Sequence, residues 1–336
     1  MTHPRLGHAL LKIGLAVRAH LLATRRAPEE MARAVGFEGG DVVFAIDRAV
    51  EPVIVEALAA WPDELLPVAL TAEGMGPDGR RIIGPAGRPI RWHVMIDPID
   101  GTRNLMYDKR AAWFLATVAP AEDGPPSLAR CVAAAMVELP TSKQGEADHF
   151  VAETDGALAA MRVELATGRG RPLGIGGSRE TTLLHGFGQV SSFFPGSHRL
   201  AADLMEAIAA AAAPHAPGGA AVFNDQYISS GGQMVELIMG RDRFCCDLRP
   251  LFHRIEEHAR PGAGHRQLLA CHPYDLAGLL LAKRAGICVT DAFGRDLDAP
   301  FDVHADVHWC GYANQDLRRL IEPVIQHWLA QRGLQP

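Results

Sequence analysis

The residues of this chain best suited to act together are the acids of the run Asp97-Pro98-Ile99-Asp100-Gly101-Thr102. Proline fixes the backbone and removes a donor, so a turn of this composition lets both carboxylates converge on one point. Converging carboxylates repel. Either one keeps its proton, as in a proton-sharing dyad, or a hard divalent cation sits between them. Oxygen-only donors of this kind favour Mg²⁺, Mn²⁺ or Ca²⁺ over zinc, and Mg²⁺ leaves coordination positions for water and a phosphate. The same residue types also build plain surface turns. Two further acids in apolar surroundings strengthen the chemical reading: Glu73 after Val68-Ala69-Leu70, and Asp275 before Leu276-Ala277-Gly278.

The elements around these residues must deliver them to one place. Trp92-His93-Val94-Met95-Ile96 reads as a short apolar strand running straight into Asp97, a helical turn follows Gly101-Thr102, and Ala112 to Ala119 returns to strand character. The acids thus leave a strand just before a helix start, where backbone N–H groups are free to meet an anion. Upstream, Leu6, Leu10, Ile13, Val17 and Leu21 predict an amphipathic helix to Thr24, weakened by Gly14. A second helix is expected to start between Asp47 and Pro52 and to run to Trp61, with Asp47 and Glu51 favoured near its start by the dipole. Residues 77–89 read as an exposed loop or hairpin.

The stretch 168–178, GRGRPLGIGGS, reads as a connection between two lobes, which divides the chain into 1–167 and 168–336. Its glycines could cradle a phosphate, but they match neither the dinucleotide fingerprint nor the P-loop. Beyond it come a helix from His198 to Ala213, a Pro/Gly/Ala linker to Gly219, a helix from Leu276 closed by Gly286, a strand from Ile287 to Thr290 turned at Phe293-Gly294, and a last helix from Gln315 to Gln331 expected to bend or break at Pro323. His304 and His308 fall in strand-like sequence, where residues four apart stand about 13 Å apart, too far to share one metal.

Bulk properties narrow the function classes. A length of 336 residues, 48% hydrophobic and 21% charged, is ordinary for a globular enzyme of two domains or two lobes. A net charge of -6 argues against long nucleic acid as a ligand but not against a small phosphate ester, whose charge bound cations could meet. Six cysteines without a CxxC pair read as buried thiols in a reducing compartment, and charges at Arg5, Lys12, Arg18, Arg25 and Arg26 interrupt any early apolar run. The expectation is a cytoplasmic protein without a membrane span.

The run from Met95 to Asn104 closely resembles the first signature of the inositol monophosphatase family, and Tyr274-Asp275-Leu276-Ala277-Gly278 through Gly286 resembles the second. Asp41 and Asp47 resemble the family's early aspartates, Glu73 its metal-binding glutamate, and Phe301-Asp302-Val303 to Asn314 its C-terminal segment; the likeness covers most of the chain from Asp41. It implies a layered α-β-α-β-α fold of α/β class and a phosphomonoesterase using two or three Mg²⁺ ions, with Mn²⁺ an alternative and Li⁺ inhibitory. Glu73, Asp97 and the carbonyl of Ile99 would hold one ion, and Asp97, Asp100 and Asp275 a second. Thr102 paired with Asp47 would orient water, and the N–H groups of Gly101 and Thr102 would receive phosphate oxygens. A homodimer acting on an inositol or sugar monophosphate is the first expectation. A bisphosphate phosphatase, of fructose bisphosphate or nucleotide 3'-phosphate type, and a non-catalytic interaction protein are the alternatives.

Departures from the family pattern are Gly74 after Glu73, Tyr274 for tryptophan, and Ser230-Gly231-Gly232 for Gly-Ser-Ala. None removes a candidate ligand. A longer departure, Arg249 to Cys271, carries His253, Arg254, His258, Arg260, His265 and Arg266. It reads either as a solvated surface insertion or as a cap whose Arg254, Arg260 or Arg266 would fork onto a second anionic group of the substrate.

Overall fold

Leu6, Leu10, Ile13 and Val17 are fully buried because the helix that carries them, α1 (Leu6–Ala23), lies flat against a sheet. Gly14 makes that approach possible: a Cβ there would lie 2.5 Å from the Phe114 ring and 2.6 Å from Val137. Among the described residues α1 is the one helix long and apolar enough to cross a membrane. Here its apolar face is spent on packing. The computed structural model describes residues 5–335 except 26–27, 39–40, 76–77, 123, 157, 214–220 and 260–268.

After α1 come a short helix α2 (Pro28–Met31), a hairpin of β1 (Ala34–Glu38) and β2 (Asp41–Phe44), and helix α3 (Ala45–Ala59). The larger sheet is then built from β3 (Val68–Ala72), β4 (Arg80–Ile83), β5 (Trp92–Asp100), β6 (Ala112–Pro120), β7 (Ala133–Leu139), β8 (Glu146–Glu153), β9 (Ala159–Glu164) and β10 (Gly170–Pro172), with the short helix α4 (Thr102–Met106) between β5 and β6. Its order is β10-β9-β8-β7-β6-β5-β3-β4, antiparallel except where β3 runs parallel to β5. Strand β10 lies beyond residue 167 yet pairs with β9, so the larger sheet extends past the division drawn from composition.

The second sheet takes β11 (Gly186–Val190), β12 (Val222–Phe223), β13 (Asp242–Asp247), β14 (Cys288–Thr290) and β15 (Trp309–Tyr312) in the order β12-β11-β13-β15-β14. Its helices are α5 (His198–Ala212), α6 (Ser230–Ile238), α7 (Arg249–Ala259), α8 (Leu279–Arg284) and α9 (Gln315–Ala330). Helices α6 and α8 touch both sheets, α1 and α3 cover the outer face of the larger sheet, and α5 pairs with α9 outside the smaller one. Two apolar clusters result, one under α1 and α3 and one shared by both sheets. This is the layered α-β-α-β-α arrangement expected from the sequence.

Local differences from the sequence reading have simple causes. Helix α3 starts at Ala45, ahead of the expected window, because the Asp47 side chain caps the backbone from inside the first turn. Helix α9 runs unbroken through Pro323, which is exposed, so the carbonyl left without a donor faces water. The segment from Phe301 to His308 is irregular rather than extended. His308 instead accepts the Ala292 N–H at its Nδ1. The expected linker at 214–219 lies outside the described residues.

Candidate active site

Each acid at the end of β5 is held by a backbone group, and this is what aims it. Asp97 accepts the Ile99 N–H on Oδ1 at 3.0 Å, a bond that closes the proline turn, while its Oδ2 is buried with no partner among the described residues. Asp100 spends Oδ2 on the Ser229 hydroxyl at 2.8 Å and the Gly231 N–H at 2.6 Å, both from the start of α6. Asp275 sits in a 3₁₀ turn, Pro273–Leu276, and accepts the N–H of His272 at 2.6 Å. Asp47 does the same three residues back, taking the Phe44 N–H at 2.9 Å on one oxygen and the Thr102 hydroxyl at 3.1 Å on the other. That hydroxyl also lies 2.7 Å from the Ile99 carbonyl.

Asp97, Asp100 and Asp275 each bring a carboxylate oxygen within 4.8 Å of the others, although β5 and the Asp275 turn are far apart in sequence. Burial raises the pKa of all three; the charges of neighbouring acids add to it at Asp97 and Asp100, while His272 and Arg249 act against it at Asp275, and Asp100 is pushed up to about 8. Glu73 stands on the same pocket wall, and its charge is the largest of those raising Asp97. A buried carboxylate oxygen without a donor, in an all-oxygen cluster, fits a hard divalent cation. Asp47, Glu73, Asp97, Ile99, Asp100, Gly101, Thr102 and Asp275 therefore line one pocket.

Gly101 adopts φ +92, and a Cβ there would press on the Ile228 carbonyl at 3.0 Å and on Ser229. Gly231 is required in the same sense, since its Cβ would lie 2.8 Å from Asp100 Oδ2. Gly231 was visible in the sequence only as part of a departure from a family pattern, and Ser229 was not singled out. Their bond to Asp100 spans 129 residues or more and has no sequence signal.

Arg254 is exposed on α7 and is not among the residues lining the pocket, and Arg260 and Arg266 lie outside the described residues. Among the described residues the pocket arginines are Arg103 and Arg249. Arg249 is buried, forked onto Asp247, and donates to the Leu269 carbonyl at 3.0 Å, so it braces the chain leading to Asp275. Arg103 lies between the Phe44 and Phe194 rings, 5.7 and 5.3 Å from their centroids, and Phe194 in turn faces Arg249 at 5.6 Å. One side of the pocket is thus carboxylate and the other alternates guanidinium with aromatic rings.

Compared with solved structures, the chain aligns over 97% of its length with fructose-1,6-bisphosphatase of Leishmania major, covering 95% of that chain at a TM-score of 0.64 and 12% identity. It aligns over 96% with the extragenic suppressor protein SuhB of Bartonella henselae, covering 99% of that chain at 0.63 and 15%. An inositol monophosphatase-fructose 1,6-bisphosphatase aligns over 96%, covering 100% of that chain at 0.63 and 14%. The chain shares the fold of these three structures. No protein-family model and no curated protein sequence matches it.

Proposed function

We propose that the chain is a Mg²⁺-dependent phosphomonoesterase that hydrolyses an inositol or sugar monophosphate by direct attack of water. The observation that carries the reading is the unpartnered, buried Oδ2 of Asp97 beside Asp100 and Asp275. Asp97, Asp100 and Asp275, with Glu73 and the Ile99 carbonyl, would hold two or three divalent ions. Such ions neutralise a phosphoryl group and make water a stronger nucleophile. The residues supply orientation. The Thr102 hydroxyl, held between Asp47 and the Ile99 carbonyl, is placed to fix a water lone pair toward phosphorus, and the N–H groups at Gly101 and Thr102 would receive phosphate oxygens. No side chain need be phosphorylated.

A bisphosphorylated substrate is a second reading, favoured by the Phe44, Arg103 and Phe194 wall, which could meet a second anion opposite the acids. A non-catalytic partner-binding protein has no physical use for a cluster of repelling buried acids. Homodimer formation and a cytoplasmic setting accompany the first reading. The test is phosphate release from a panel of inositol, sugar and bisphosphorylated esters with and without Mg²⁺. Metal-dependent release from a monophosphate supports the first reading, preference for bisphosphates the second, and no release from any ester refutes both.

A further inference from the structure

Behind the catalytic turn lies a second cavity, of about 390 Å³, walled by the C-terminal half of α1, by α2 and β1, and by the first turn of α3. Its lining is mainly apolar, yet Arg18, Arg25, Arg33 and Arg48 reach it, and Glu30 is the single acid among the described lining residues. In a chain of net charge -6 this is a local reversal of sign. Leu22 and Val35, two of the large apolar residues that stay exposed, at 39% and 43%, border the same cavity.

Arg18 is the residue that asks for a ligand. It is only 7% exposed, and its Nη1 has no hydrogen-bond partner among the described residues. Glu138 and Asp148 offset its charge. Both are engaged elsewhere, Glu138 by the Gln144 amide and the Asp148 N–H at 2.7 Å each, and Asp148 by a fork from Arg162 at 2.6 and 2.7 Å. Burial lowers the Arg18 pKa, but a guanidinium remains charged throughout the range in which proteins fold. A buried charge of this kind is costly until an anion meets it.

We propose that this cavity binds a small amphipathic anion, with a carboxylate or phosphoryl head at the arginines and an apolar body against Leu21, Leu22 and Val35. The volume falls in the range of small-molecule sites, about 300 to 1,000 Å³. The site is distinct from the carboxylate pocket but shares an element with it. Ala45, Ile46, Arg48 and Ala49 face the cavity, while Asp47 of the same turn holds Thr102 and Phe44 lines the carboxylate pocket. An occupant that draws on Arg48 or props this turn shifts Asp47, so binding here alters turnover there. The binding stands apart from the proposed hydrolysis; the coupling rests on it.

The test is calorimetric titration of the full chain, free of divalent metal, with octanoate and separately with hexylphosphonate, whose P–C bond is not an ester. Saturable binding of one equivalent is expected, with Leu22→Glu and Arg18→Met each weakening it about tenfold or more. Leu22→Lys should retain binding, and Asp97→Asn should bind as the wild type does. Leu22 is exposed, so Leu22→Glu keeps the test valid if Arg18→Met fails to fold. Preference between the two probes identifies the head group. No saturable binding of either, equal binding in Leu22→Glu and wild type, or loss of binding in Asp97→Asn would overturn the site. Binding in a protein that hydrolyses no ester would leave the site standing and remove the proposed function. If esters are hydrolysed, turnover unchanged at saturating octanoate would remove the coupling.

Discussion

Asp97, Asp100, Asp275 and Asp47 share one local device: a backbone N–H takes one carboxylate oxygen and so points the acid. Ser229 carries two such duties, accepting the Gly232 N–H as the cap of α6 and donating to Asp100. Ser229→Ala should therefore lower stability by about 1–2 kcal/mol, the usual cost of a lost cap. It should also raise the Mg²⁺ concentration needed for half-maximal activity, because Asp100 loses a donor that holds it in place. Thermal melting and a Mg²⁺ titration check both; loss of stability with unchanged metal dependence would assign Ser229 to the helix alone. At this scale the sequence is informative where chemistry is contiguous. Asp97 to Thr102 lie in one turn, so turn chemistry alone announces them. Arg249, Phe194 and Ser229 reach the pocket through tertiary packing, and Arg249 was passed over for the more visible arginines that follow it.

Among the elements, β5 was legible as an apolar strand leading into the acids, and α1 and α9 as amphipathic helices, because burial on one face leaves a period in the sequence. The start of α3 was read late because its cap is a side chain inside the helix rather than one before it. Pro323 misled because a proline is silent about which face it occupies. Strand β13 carries a different liability at its first residue. Asp242 is buried, and burial, then the charge of Glu236, pushes its pKa up to about 7. A raised acid pKa favours the protonated folded form, so this contribution to stability is full below the unfolded value of about 4 and is lost as pH rises to 7. Asp242→Asn should remove that part of the fall, leaving stability at pH 8 higher than in the wild type and nearly unchanged at pH 4. Denaturant titrations at the two pH values check it; an equal effect at both would show that Asp242 ionises without penalty.

For the whole molecule, the sequence conveyed a layered α/β fold, because its acidic signatures resemble those of a family with that architecture. It did not convey how α6 and α8 fill the space between the sheets, which depends on contacts between halves of the chain. That packing forces the acids of both halves together, and their repulsion is a standing cost to the metal-free fold. Mg²⁺ binding only the native state should raise the melting temperature, with the rise growing as the logarithm of its concentration above Kd, and Asp275→Ala should shrink the rise. A melting curve that Mg²⁺ leaves unmoved would argue against a metal centre. The most direct measurement compares phosphate release by wild type and by Asp97→Asn, on the best ester of the panel at saturating Mg²⁺. The exchange removes the charge that the cluster converges on while keeping the side chain's shape. Loss of metal-stabilised transition-state contact costs several kcal/mol, so the variant should fall below about a hundredth of the wild-type rate. Retention of more than about a tenth would contradict a hydrolytic metal centre built on Asp97.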